Sequence, residues 1–191
     1  MIMAERLLAA PDAERLLAIY LNDHLAGSNA GLSLIRRIVR HHRHTPLRAP
    51  LTRIAQEVAE DRDSLREIMQ ALDTPALHAR AAVGALAERA ARLKLNGRLI
   101  SRSPLSDVLE LEAMRLGVEG KAAGWRALRS VAESDPRLDG TTLERLSDRA
   151  ERQARALEEM RLDAAARAFP AEGAASGRRR RRRHLGAPAV G

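Results

Sequence analysis

Apolar residues recur along this chain at the three- and four-residue spacing of an amphipathic helix, and five helical segments follow from that period and its punctuation. Leu17, Tyr20, Leu21, Leu25, Leu32, Ile35 and Ile38 mark the first, from an Asp12 N-cap to about Arg40, before Pro46 and Pro50 break the pattern. Leu51, Ile54, Val58, Leu65, Ile68, Met69 and Leu72 mark the second, over about 51–72. Asp73-Thr74-Pro75 supplies a stop, a cap and a first-turn proline for a third, over about 75–95. Ser103-Pro104 opens a fourth that runs to about Val131, and Thr141 or Thr142 opens a fifth that runs to about Ala168. From Pro170 onward, Ala, Gly, Ser, Pro and Arg carry no period. The expected layout is therefore an N-terminal arm (1–11), a helical unit (12–169) and a disordered arginine-rich tail (170–191).

Composition sharpens the class. Tyr20, Trp125 and Phe169 are the only aromatics and β-branched residues are few, whereas the abundant Ala, Leu, Arg and Glu are good helix formers. The prediction is all-α. The absence of cysteine excludes disulfides, thiolate metal sites and cysteine nucleophiles. No apolar run approaches the ~20 residues of a membrane span. Glu5 and Arg6 interrupt the N-terminal segment too early for a signal peptide, so no membrane insertion and a cytoplasmic protein are expected. Of the formal charge of +8, Arg178, Arg179, Arg180, Arg181, Arg182 and Arg183 supply six. The helical unit is nearly neutral, which assigns polyanion binding mostly to that run.

Two long helices, an extended crossover holding a shorter helix, and two more long helices match the connectivity of ferritin-like four-helix bundles, built from two antiparallel hairpins. Four strings carry a closer likeness: Tyr20-Leu21-Asn22-Asp23-His24-Leu25-Ala26-Gly27, Glu60-Asp61-Arg62-Asp63-Ser64-Leu65-Arg66-Glu67-Ile68-Met69, Leu93-Lys94-Leu95-Asn96-Gly97-Arg98, and Leu109-Glu110-Leu111-Glu112 followed by Gly117-Val118-Glu119-Gly120-Lys121. They resemble uncharacterised ferritin-like proteins of high-GC, actinobacterial bacteria over roughly residues 12–168. The resemblance implies the fold and brings no settled function.

Polar residues that interrupt the apolar stripes are the candidates for chemistry. His24 continues the stripe of the first helix, Asp61 sits between Val58 and Leu65, and Gln153 falls between Leu146 and Leu157. On the fourth helix, Leu105, Leu109, Glu112, Leu116, Glu119 and Ala123 share a face, which predicts two core-facing carboxylates. Ferritin-like di-metal sites use one carboxylate on each of two helices and a Glu-x-x-His pair on the others. Here Glu57-x-x-Glu60 lacks the histidine, and the fifth helix offers Glu151 and no Glu-x-x-His pair. The ligand set for iron or manganese would be His24, Glu57, Glu60, Glu112, Glu119 and Glu151. Register arithmetic argues against it. A turn centred near residue 45 leaves His24 and Glu57 ten residues out of level, roughly 15 Å at 1.5 Å per residue. The alternative is a buried polar network in which Arg62, Lys121 and Arg149 neutralise Asp61, Glu112 and Glu119.

The remaining features are weaker. His41, His42 and His44 lack the carboxylate or thiolate neighbours of a zinc site and read as an ordinary basic helix end. Gly117, Gly120 and Gly124, with Gly27 and Gly31, predict a close helix–helix seam, within the chain or between copies. Trp125 reads as core packing. No nucleophile elbow, phosphate-binding glycine loop or dinucleotide fingerprint is present. Three functions are expected in turn: a non-catalytic or degenerate ferritin-like module that self-associates into a homo-oligomer, a metal-carboxylate protein, and a non-specific nucleic-acid binder acting through the tail.

Overall fold

The computed structural model describes residues 13–76 and 103–170. All the described secondary structure is helical, in four helices: α1 (Ala13–His41), α2 (Arg48–Ala71), α3 (Pro104–Ala132) and α4 (Gly140–Ala168). The predicted arm, most of the predicted crossover helix, and the arginine run lie outside the described residues. Among the described residues, no helix is long and apolar enough to cross a membrane.

Local chemistry sets the helix ends. α2 begins at Arg48, three residues earlier than the prolines suggested. Pro50 is tolerated because the first-turn amides have no intrahelical acceptor to lose. α2 stops in a Schellman turn: Thr74 N–H donates to Met69 O at 2.8 Å and Asp73 N–H to Gln70 O at 3.1 Å. Asp73 takes the left-handed position, with φ of 52°. Ser103 and Pro104 open α3 as expected. α4 starts at Gly140 rather than at a threonine cap, because the Asp139 carboxylate accepts from Thr141 N–H and Thr142 N–H at 3.0 and 3.2 Å.

Contacts between helices fix their directions. His24 lies on Gly124, Gly31 lies under Met114, Arg37 pairs with Glu110 at 3.3 Å and His42 meets Asp107 at 3.6 Å. Numbers rise on α1 as they fall on α3, so the two are antiparallel. Glu112–Arg161, Arg115–Glu158, Arg126–Glu151 and Arg129–Glu144 make the same case for α3 and α4. α1 packs on α2 across a connection too short for a parallel arrangement. The end of α2 and the start of α3 therefore lie at opposite ends of the molecule.

The core is aliphatic, with Trp125 its one buried aromatic among the described residues. One predicted face is wrong. α3 buries Val108, Leu111, Met114, Val118, Ala122, Trp125 and Leu128, not the face of Leu105, Glu112, Leu116 and Glu119. The buried stripe carries more apolar surface, and the rejected one would have desolvated two carboxylates. Leu105 and Leu116 consequently stand exposed.

Candidate functional site

Burying a carboxylate is costly unless cations and donors surround it, so the most informative residue is Asp61, 1% exposed in the middle of α2. Lys121 of α3 and Arg149 of α4 enclose it. The Lys121 ammonium donates to Asp61 Oδ2 and, at 2.6 Å, to Gln153 Oε1. Arg149 meets Asp61 Oδ1 as an ion pair rather than through an aligned hydrogen bond, and its other amino group donates to Glu60 Oε2 at 2.8 Å. Gln153, itself buried, donates to Glu57 Oε2 at 2.8 Å. Two cations and one amide, from α3 and α4, thus bridge three carboxylates of α2. Burial pushes the Lys121 ammonium below its ordinary pKa, and the Asp61 carboxylate opposes that shift.

The six candidate metal ligands do not meet. Glu57 and Glu60 border the Asp61 network, each held by its own donor. Glu112 and Glu119 are exposed and ion-pair with Arg161 and Arg115 at 3.8 and 2.8 Å. Glu151 pairs with Arg126 at 3.6 Å and Arg155 at 4.0 Å. His24 stands apart from all five. Its ring packs on Gly124, where a Cβ would approach Cε1 to 2.9 Å, and Tyr20 meets it edge-on with ring centroids 4.5 Å apart. Desolvation lowers the His24 pKa, with Asp23 opposing. Among the described residues, no three His, Cys, Asp or Glu side chains are grouped to hold a metal ion. The donor set does not fit iron or manganese, because basic side chains fill the space between the carboxylates.

Of the basic partners expected for the buried acids, Lys121 and Arg149 both serve Asp61, while Arg62 turns to Asp63 at 2.9 Å. Sequence reasoning grouped His42 with His41 and His44 as a basic helix end without a carboxylate neighbour, and missed its burial against Asp107. It is buried, with Nδ1 3.2 Å from Thr45 Oγ1 and Nε2 facing Asp107. The signal was present, since His42 follows Ile38 by four and extends the apolar stripe of α1. The glycine seam is real at only two places, Gly124 against His24 and Gly31 against Met114. Gly27, Gly117 and Gly120 have open space where a side chain would stand.

Compared with known families, curated proteins and solved structures, the chain matches none.

Proposed function

We propose that this chain is a ferritin-like bundle whose central carboxylates are neutralised by its own lysine and arginine, and that it works as a non-catalytic, self-associating structural or interaction module. The observation that carries this reading is the placement of the Lys121 ammonium and the Arg149 guanidinium among Asp61, Glu57 and Glu60. A site that needs open coordination positions has none left there. The ferritin-like part draws support from connectivity: α2 ends at one end of the molecule and α3 starts at the other, as that fold requires of its two antiparallel pairs. Self-association draws support from exposed apolar side chains. Leu105 and Leu116 stand about three turns apart on one side of α3, and Leu162 is exposed on α4 with Phe169 exposed just past its end.

Elemental analysis of protein purified without an affinity tag tests the first half. The expected result is no stoichiometric transition metal. Stoichiometric iron or manganese that disappears on Glu57→Gln would replace this reading with a metal-carboxylate protein. Light scattering tests the second half, with an oligomer expected for the wild type and dissociation expected for Leu116→Glu combined with Leu162→Glu.

A further inference from the structure

We propose that the end of the bundle formed by the α1–α2 turn is a binding surface for the phosphate backbone of double-stranded nucleic acid, separate from the C-terminal arginine run. The near-neutral charge of the helical unit conceals a strong segregation. Between Asp23 and Glu57 the chain has six arginines and no Asp or Glu. Arg37 is taken by Glu110. Arg36, Arg40, Arg43, Arg48 and Arg53 are exposed, and none forms an ion pair among the described residues.

Their placement is compact. Arg36 and Arg40 lie in the last six residues of α1, Arg43 in the turn, and Arg48 and Arg53 in the first six residues of α2. At 1.5 Å per residue, all five fall within about 9 Å of this end along the helix axes. The first turn of α2 holds no acidic residue, so nothing there offsets the positive pole of its dipole. Arg48 and Arg53 border a shallow, open depression of about 580 Å³ lined also by Thr45, Pro46, Ala49, Thr52 and Gln56. The Thr45 and Thr52 hydroxyls donate to His42 O and Arg48 O, so phosphate and sugar oxygens would meet the guanidinium groups and the Gln56 amide.

The same end argues against an anionic membrane as the partner. None of the exposed large apolar residues lies between 36 and 53, so the patch has no apolar face to insert. No Phe, Tyr or Trp accompanies the arginines, which disfavours stacking on single strands. A duplex backbone requires neither. Because α4 is antiparallel to α3, it finishes at this end too, so the tail must be tested separately.

The test uses the full chain, a fluorescent 20-base-pair duplex, and anisotropy titrations from 50 to 200 mM salt. Each phosphate contact contributes about 0.9 to the slope of log affinity against log salt. The triple variant Arg40→Gln, Arg48→Gln, Arg53→Gln should therefore flatten that slope by about 2.7, while the matching lysine variant keeps it. Replacing Arg178–Arg183 with glutamine should weaken binding but leave a salt-dependent remainder. All three sites on the bundle are exposed, and circular dichroism checks that each variant is folded. The proposal falls if the triple glutamine variant binds as the parent does, if the tail variant alone abolishes binding, or if the wild type prefers anionic vesicles to the duplex or binds neither. None of these outcomes depends on whether the core holds a metal.

Discussion

Replacing Lys121 with methionine removes one of the two cations that face Asp61 while keeping most of the aliphatic stem. The remaining network would hold three carboxylates, Asp61, Glu57 and Glu60, against the single guanidinium of Arg149. Gln153 Oε1 would also lose its 2.6 Å donor. Removing one partner of a buried ion pair costs about 3–5 kcal/mol. Arg149 still faces Asp61 and the Lys121 side chain is 16% exposed, so the cost falls at or below the bottom of that range, about 2–3 kcal/mol. For a chain of this size that corresponds to a loss of roughly 4–12 °C in Tm. Urea denaturation followed by circular dichroism measures it. Trp125, the only tryptophan and buried, gives an independent fluorescence signal. Adding Asp61→Leu to Lys121→Met should restore about 1–3 kcal/mol, because the stranded charge goes and Arg149 retains Glu60. A single variant within ~0.5 kcal/mol of wild type, or strictly additive effects in the double variant, would refute the reasoning.

Two further outcomes follow from α3 and α1. Gly124→Ala should destabilise by about 1–3 kcal/mol because its Cβ meets the His24 ring, whereas Gly120→Ala, in open helix surface, should stabilise by up to ~1 kcal/mol; thermal melts of the two variants side by side measure the contrast. The lowered His24 pKa means the unfolded chain binds the proton more readily. Its contribution to stability is therefore complete above the ordinary histidine value of about 6.5, declines as pH falls from there, and is fully lost below the folded value. Urea midpoints at pH 7.5 and 5.0 should show that loss, and His24→Gln should remove the part of it due to this residue.

The helices were legible because their punctuation is chemical: Ser103-Pro104 and Asp73 with its left-handed turn act within a few residues, whereas Pro50 misplaced the start of α2. Asp61 and Gln153 were legible as misfits, since each breaks an apolar stripe and each is buried. The face of α3 was not legible, because that helix carries two apolar stripes and local spacing does not rank them. Packing against α1 does, by seating Met114 over Gly31 and His24 on Gly124. The pairing of Lys121 with Asp61 and Gln153 depends on contacts between segments far apart in the chain, and so does the lack of ion-pair partners, among the described residues, for the arginines at the α1–α2 end. Summed charge hides both.

The bridge from Asp61 to two neighbouring helices also works as a detent. Leucine-lined helices can slip by a turn and still bury comparable surface, so apolar packing alone sets their relative height loosely. A one-turn slide of α2 would carry Asp61 about 5.4 Å away from Lys121 and Arg149 and leave a bare anion facing aliphatic side chains. The penalty is steep in both directions along the axis, so a single polar notch selects one vertical alignment out of several that oil alone would tolerate.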